Sequence, residues 1–325
     1  MKRLAVVILN YRTAEMTIEC LRTLVGEIAL HPDRCAVVVD QSSGDGSADE
    51  IAEAIEKNGW SEWVTLIRSP DNLGFAGGNN LGMRSVEAKN YLLFNSDART
   101  TPGAFDAMLD AIDSHSDVGA VCPRLQDPDG TPQISCFRYR TPLTEFLEAA
   151  GTGALDRMFA NRLVPMGVFD QPMQPQWGSF ACMMLKREVI ERVGYMDDRY
   201  FMYFEDIDYA RRMNRAGWRM LHWPAAKVVH LRGGSSSVKS AMKARARVPK
   251  YYYQARSRYY AKFYGGAIGL WLANLLWLCG RAIAWSRETF GRKVPDVCER
   301  QALDNWTNWL MPLRPHNMSR GGETP

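Results

Sequence analysis

The chain has 325 residues, enough for one large domain with an appendage or for two domains, and 46% of them are apolar, so a sizeable core is within reach. A net charge of +4 excludes a global electrostatic preference for nucleic acid. The seven cysteines (Cys20, Cys35, Cys122, Cys136, Cys182, Cys279 and Cys298) are odd in number and form no CxxC pair, which argues for reduced thiols in a cytosolic protein and against a disulfide framework or a zinc site.

Residues 4–9 are all apolar, as in a strand covered on both faces. They are too few for a signal peptide and run into Asn10-Tyr11-Arg12. Residues 13–25 follow with helical spacing of Met16, Ile18, Leu21 and Leu24. Residues 36–39 predict a second strand, ending at Asp40. Ser47 is expected to cap a helix running to about Glu56, with Glu50 completing a capping box. A third strand is predicted over 63–67, a loop entering a helix over 75–86, and a fourth strand over 91–94; Thr101-Pro102 looks like a further helix start. This alternation predicts an α/β protein with a mainly parallel sheet wound with helices. Between 118 and about 176 the pattern weakens and long loops are expected. A strand over 179–185 and a short helix over 186–193 restore order. No internal repeat is apparent.

In such a sheet, ligands sit beyond the carboxyl ends of the strands. Each of the four strands ends in a polar cluster: Asn10-Tyr11-Arg12, Asp40-Gln41-Ser42, Arg68-Ser69-Pro70-Asp71 and Asn95-Ser96-Asp97. Wet loops explain one such cluster easily, and four with repeated carboxylates less well. Asp97 could shape a turn, or could hold a hard cation, since magnesium takes one or two carboxylates plus substrate phosphates. In YFMYFEDIDYARRMNRAGW, residues 200–218, aromatics run up to Glu205, Asp206 and Asp208 at the start of a helix that Gly217 stops. A helix dipole favours acids there. Their setting against aromatics also suits a carboxylate tuned toward a general base. Val228-Val229 is a short strand delivering His230 ahead of a Gly-Gly-Ser-Ser-Ser loop, a setting open to a structural, metal or phosphate role; His222 lacks such a setting and reads as structural. The glycines of DNLGFAGGNNLG, 71–82, permit close approach of a ligand, but no Gly-Lys-Ser/Thr follows, so this is not a Walker loop.

In this order, ILNY at 8–11, VVDQSSGDGS at 38–47, NLGFAGGNN at 72–80, LLFNSDA at 92–98, WGSFACMML at 177–185, GYMDDRYFMYFEDIDYARRMNRAGW at 194–218 and VVH at 228–230 resemble the family 2 inverting glycosyltransferases, in particular bacterial rhamnosyltransferase-like members. The resemblance covers about residues 4–235. It implies an α/β, Rossmann-like GT-A fold over 1–238, with a nucleotide-sugar-binding half (1–117) and an acceptor and catalytic half (118–238); the basic and apolar composition of 239–325 predicts a helical, membrane-associating extension.

The same resemblance implies the roles of single residues. Asn95-Ser96-Asp97 stands where the family has Asp-x-Asp, with Asn95 in the first place, so a divalent cation (Mg2+ or Mn2+) would lean on Asp97, with His230 as a further ligand. Asp40 would recognise the nucleobase; Gln41 stands where Asn is usual. Asn10, Tyr11, Gly74, Asn79, Asn95, Trp177 and Gly178 would serve nucleotide-sugar binding. Asp206 would be the catalytic base, with Glu205 beside it. The reaction implied is one in-line displacement from a nucleoside diphosphate-sugar, with dTDP-L-rhamnose as the leading donor and UDP-sugars as the alternative.

From Lys239 to Lys262 eight Lys and Arg residues interleave with five Tyr and no acid. A solvated helix face, single-stranded nucleic acid binding and a basic collar for anionic headgroups or an acceptor's pyrophosphate are three readings. The neighbouring AIGLWLANLLWL, 267–278, favours the third. It is shorter than the ~20 residues of a spanning helix, and Trp271, Trp277 and Trp285 suit a membrane surface more than a buried core helix. The acceptor expected is a polyprenyl-pyrophosphate-linked saccharide at the cytoplasmic face, in surface polysaccharide assembly, with no nucleic acid partner. Two rivals are a catalytically silent sugar-nucleotide-binding protein and a nucleic-acid-binding protein. A nucleotidyltransferase would share the rim but would not need the Glu-Asp helix.

Overall fold

The structure is a computed structural model that describes residues 1–231, 237–291 and 295–314. The glycine-serine loop expected after His230 falls largely on 232–236, outside the described residues. In chain order the elements begin β1 (Lys2–Asn10), α1 (Ala14–Ile28), β2 (Arg34–Asp40), α2 (Ser47–Lys57), β3 (Val64–Arg68), α3 (Gly74–Arg84) and β4 (Ala88–Phe94). The middle of the chain adds β5 (Ala98–Thr100), α4 (Ala104–Ser114), β6 (Val118–Gln126), β7 (Cys136–Phe137), α5 (Pro142–Ala150), α6 (Gly153–Met158), β8 (Trp177–Gly178), β9 (Cys182–Lys186) and α7 (Arg187–Val193). Then come α8 (Glu205–Arg215), β10 (Arg219–His230), α9 (Ser237–Ala244), α10 (Lys250–Phe263), α11 (Ala267–Gly291) and α12 (Gln301–Asp304).

Two compact units share the chain. The first gathers residues 1–137, 166–198 and the stretch from Glu205 through β10. Its sheet runs β3-β2-β1-β4-β9-β6-β10-β5. The strands β3, β2, β1 and β4 are parallel, as the alternating order requires. β9 enters antiparallel between β4 and β6, and β5 runs antiparallel to the end of β10. Leu4, Val6 and Ile8 of β1 and Leu92 and Phe94 of β4 share one core with Leu21 and Leu24 of α1 and Phe105, Met108 and Leu109 of α4. Each such side chain is fully or almost fully buried, so a Leu21→Ala change would cost about 2–5 kcal/mol. The buried Glu27 of α1 anchors α4 by accepting the N–H groups of Gly103 (2.6 Å) and Phe105 (2.9 Å).

Three expectations are corrected. Ser47 is not a cap: Gly46, at φ +92°, holds that place, and Ser47 gives its N–H and hydroxyl to Asp45 (3.0 and 2.6 Å), so the expected box with Glu50 does not form. The left-handed turn that only Gly46 accommodates readily puts Ser47 inside the helix. The weakly patterned region keeps the expected long loops, at 127–135 and 163–176, but also carries elements that the sequence does not place, β6, β7, α5 and α6. β6 is disguised by Pro123, which lies beyond the β9 pairing at Ala120 and Val121 and so withholds no N–H from it. The third correction concerns the basic stretch. Arg256 and Arg258 are 3% and 2% exposed and do not form a solvent-facing collar, whereas Lys239, Lys243, Arg245, Arg247 and Lys250 are exposed.

The second unit comprises residues 138–165, 199–204 and helices α9 to α12. Inside it Arg256 bonds Glu145 (2.8 Å) and Asn274 (2.7 Å), Tyr260 donates to Glu145 (2.6 Å), and Arg140 bonds Glu148 (2.8 Å). α11 has 25 residues, twice the apolar run read from sequence, because Arg281 and Glu288 pair on it (2.8 Å) and let it continue beyond Gly280. Gly280 faces the backbone of α5, where an added Cβ would meet Phe146 and lie 2.9 Å from Ala149. By length and composition α11 is apolar enough to cross a membrane. Leu270, Ala273, Trp277 and Ala284 are buried, while Ile268, Leu272, Leu275, Leu278 and Trp285 form an exposed stripe.

Candidate active site

The site begins where β1 and β2 end side by side, with Asn10 and Asp40 in register. Asn10 is fully buried and donates to Asp40 (2.7 Å), while its own oxygen accepts from Thr17 (2.9 Å) and Thr13 (3.2 Å) of the following turn and helix. Ser43 closes the nest, giving Asp40 its N–H (3.2 Å) and hydroxyl (2.5 Å) and accepting the N–H of Arg12 (2.9 Å). Arg12 and Ser42, both at φ +56°, hold the left-handed backbone that folds these loops inward. Such angles cost energy in residues other than glycine and concentrate at functional sites. Gln41 turns its oxygen to the Leu73 N–H (3.1 Å), and a Cβ at Gly78 would lie 2.7 Å from that oxygen. Glycine at 78 therefore lets α3 approach the end of β2. Tyr11 lies under the Arg12 guanidinium, 5.2 Å from its ring centre.

Asp97 follows β4, and β5 directly beyond it pairs with the end of β10, setting Ala98 opposite His230. The Asp97 Oδ1 and His230 Nε2 atoms are 3.4 Å apart, both side chains being nearly buried. Gln133 fixes the imidazole. Its amide nitrogen donates to Asp127 (2.7 Å) and to the His230 carbonyl (2.7 Å), so its oxygen faces His230 Nδ1 (3.2 Å) as acceptor. Nδ1 then carries the hydrogen in the neutral ring, and Nε2 turns a lone pair toward the Asp97 carboxylate. An acceptor facing an acceptor calls for a cation or a proton between them. Two ligands ~2.1 Å from one cation at right angles would stand about 3 Å apart. The donor set of one carboxylate and one imidazole fits Mn2+ better than Mg2+, which prefers oxygen alone. Gln133 supplies the outer hydrogen bond that a metal-bound histidine usually has.

The acids of α8 stand at its N-terminus. Asp206 accepts the Ile207 N–H (2.7 Å), and Asp208 is held by Arg212 (2.7 Å), which also ties down the carbonyls of Val193 and Tyr195 (3.0 Å each). Glu205 is 4% exposed, and its Oε2 has no hydrogen-bond partner among the described residues. Burial, and after it the neighbouring Asp206 and Asp208, push its carboxyl well above the usual range. The helix packs against β8. There Trp177 stacks on Phe137 at 4.3 Å and Gly178 comes so close to β6 that a Cβ would lie 2.8 Å from the Cys122 sulfur.

The remaining expected residues are placed as follows. Gly74, at φ +68°, opens α3 and gives its N–H to Asn72 (3.0 Å). Asn79 is buried and donates back to the Phe75 carbonyl (2.9 Å) of its own helix. Asn95 gives its backbone N–H to Ala181 (2.9 Å), tying the end of β4 to the segment before β9. Ser43 and Gln133 were not singled out from sequence. Ser43 lies three residues beyond Asp40, a spacing at which Ser commonly bonds a nearby carboxylate, whereas Gln133 carried no local signal.

Residues 2–248 match the sequence profile described as "Glycosyltransferase like family 2". The N-acetylglucosaminyl-diphospho-decaprenol L-rhamnosyltransferase of Mycobacterium tuberculosis is 25% identical over 234 residues, 66% of this chain and 73% of that one. The low-salt glycan biosynthesis hexosyltransferase Agl10 of Haloferax volcanii is 25% identical over 216 residues, 65% of this chain and 62% of that one. Among solved structures, the mannosyltransferase PcManGT of Pyrobaculum calidifontis, in complex with GDP-Man and Mn2+, aligns with TM-score 0.51 at 15% identity, over 96% of this chain and 85% of that one. TarS of S. aureus in complex with UDP-GlcNAc aligns with TM-score 0.55 at 15% identity, over 97% and 82%. These structural likenesses establish the GT-A fold.

Proposed function

The chain belongs to the family 2 glycosyltransferases and depends on a nucleotide-sugar; from that premise we propose that it is an inverting, metal-dependent hexosyltransferase that moves L-rhamnose from dTDP-L-rhamnose to a hydroxyl of a polyprenyl-pyrophosphate-linked saccharide, in cell-surface polysaccharide assembly. The observation that carries the metal-dependent part is the close approach of two side chains able to ligate one cation, Asp97 Oδ1 and His230 Nε2, 3.4 Å apart. The rhamnose and lipid-linked parts draw their support from the mycobacterial relative.

In this reading the nest of Asn10, Asp40 and Ser43 takes the nucleobase, with Tyr11, Gly74, Asn79, Asn95, Trp177 and Gly178 around the donor. Asp97 and His230 would hold the cation, which when bound supplies positive charge against the donor diphosphate. Asp206 accepts the proton of the acceptor hydroxyl. The hydroxyl oxygen bonds to the anomeric carbon on the face opposite the diphosphate, the bond from that carbon to the diphosphate oxygen breaks, and its electron pair leaves with the nucleoside diphosphate. Configuration inverts in this single displacement. A positioned base is worth about 10²–10⁴-fold in rate. Burial favours the protonated form of Glu205, which can donate a hydrogen bond beside Asp206, so the reading gives the base role to Asp206 with Glu205 beside it.

The second unit supports a membrane-surface location, which the reading puts on the cytoplasmic face. The exposed stripe of α11 is apolar along one side only, and Asn274 on its other side is buried in bonds to Arg256 and the Asn305 carbonyl (3.0 Å). That pattern suits a helix lying in the interface more than one surrounded by lipid. The test is a donor panel: purified protein, Mn2+ or Mg2+, nucleotide-sugars and a polyprenyl-linked acceptor, with nucleoside diphosphate release and the anomeric configuration of the product as readouts. Metal-dependent release from dTDP-L-rhamnose with inversion is expected. Release from UDP-sugars alone would overturn the rhamnose assignment, and retention would overturn the single displacement.

A further inference from the structure

Behind Gly178, three side chains read from sequence as unremarkable meet inside the first unit. Cys122 lies on β6 and His222 on β10, paired in register across the parallel ladder. Cys136 lies on β7, whose partner residue is Gly178. All three are buried, and the two sulfurs and the nearest imidazole nitrogen all lie within 4.8 Å of one another. The Cys122 sulfur and His222 Nδ1 are 3.9 Å apart. The opposite ring nitrogen, Nε2, sits 3.3 Å from the Phe169 carbonyl and donates to it. That bond fixes the tautomer in which Nδ1 presents its lone pair to the thiols. An imidazole that gives one N–H to a backbone carbonyl and aims its other nitrogen at two sulfurs has the arrangement of a metal-bound histidine with its outer hydrogen bond.

We propose that Cys122, Cys136 and His222 form a second metal site, for Zn2+, that clamps the β7–β8 ribbon to the sheet. Tetrahedral zinc with Zn–S about 2.3 Å and Zn–N about 2.0 Å would set its ligands about 3.5–3.8 Å apart, close to the spacing already present. The three protein ligands leave a fourth coordination position. Both thiol protons pass to solvent on binding. The Asp97–His230 pair, with its carboxylate, favours a harder cation, so the two sites differ in chemistry. Glycine at 178 is part of the construction, because a Cβ there would lie 2.8 Å from the Cys122 sulfur and push the ribbon off the sheet. The clamp would fix Trp177, next to Gly178 and stacked on Phe137, and with it one wall of the donor site. The proposal does not rest on the sugar or acceptor assigned above.

The experiment uses the full chain, reduced and freed of metal, titrated with Co2+ as a spectroscopic substitute and with Zn2+ in competition. Expected are stoichiometric thiolate-to-cobalt charge-transfer bands that Zn2+ bleaches, that survive in Asp97→Ala, that vanish in Cys136→Ser and that weaken at least tenfold in affinity in His222→Gln. Zn2+ should also raise the melting temperature of the wild type and not of Cys136→Ser. Folded wild-type protein without such bands would overturn the proposal whatever the variants do. So would bands that persist in Cys136→Ser, or a mass showing that Cys122 and Cys136 have joined as a disulfide under reducing conditions.

Discussion

Glu145 of the second unit and Glu205 of the first are both buried, at 5% and 4% exposure, and their surroundings answer that burial in opposite ways. For Glu145, burial would raise the carboxyl, but Arg256 and Arg140, with bonds from Arg256 and Tyr260, outweigh it and hold the carboxyl below the usual range. For Glu205 burial and then Asp206 raise the carboxyl, a backbone hydrogen bond opposes them only in part, and no cation among the described residues stands against them. One network is complete in hydrogen bonds and charge and does structural work, joining α5, α10 and α11. The other leaves a buried carboxyl oxygen without a hydrogen-bond partner among the described residues, at the helix start where the proposed base, Asp206, also stands. Completeness of partners, more than the presence of charge, separates the scaffold from the site.

Mutations at the two kinds of site should separate them. The largest effect is expected at Asp97: Asp97→Ala should lower metal-dependent donor affinity by more than about 100-fold, since even outer partners of a metal ligand are worth about 10–100-fold. Calorimetry with and without Mn2+ measures it, and an unchanged affinity would remove Asp97 from the cation site. In the complete network, Arg256→Met leaves the Glu145 charge buried without its main partner and should cost about 3–5 kcal/mol of stability. Adding Glu145→Met should recover most of that loss in thermal unfolding. A single variant as stable as the wild type would show that the network is dispensable. Gln133→Leu, which removes the acceptor that orients His230, should weaken Mn2+ binding about 10–100-fold with little change in the fold, as electron paramagnetic resonance of free Mn2+ would report.

The smallest effect at acid pH belongs to Glu205→Gln, which copies the protonated acid. The raised folded value means that the folded state keeps a proton the unfolded chain has lost. The stability contributed is therefore full below the ordinary value of 4.5 and is lost as pH rises toward the folded value. The Gln variant does not titrate, so its stability advantage over the wild type should grow as pH rises above that ordinary value. Denaturation across that range checks the slope, and parallel curves would mean that Glu205 is ionised in the fold.

The same contrast explains what the sequence could and could not disclose. β1, β2 and β4 were legible because unbroken apolar runs ending in polar residues admit few other structures. β10 was legible only at its end, because Pro224 and a register shift between Trp223 and Lys227 break its pattern. α5 had a usable signal, Thr141 capping a helix with Pro142 in its first turn and Thr144 reciprocating, but its surroundings looked irregular. The Lys–Arg–Tyr segment looked functional because Glu145, which neutralises Arg256, lies 111 residues away in sequence. The Asp97–His230 pairing was expected from resemblance, and Gln133, which orients His230, shows itself only once β10 is placed. Cys122, Cys136 and His222 are separated by spacings that no metal motif shares, and only the sheet brings them together.

The most direct test of the account is to separate donor binding from chemistry in Asp206→Asn. Donor affinity would be measured by calorimetry with Mn2+, and single-turnover transfer by quenched flow with a lipid-linked acceptor. The account predicts donor affinity close to that of the wild type and transfer slower by about 10²–10⁴-fold, the contribution of a positioned base. Transfer at the wild-type rate, or donor affinity lost in step with transfer, would contradict it and place Asp206 outside the chemical step.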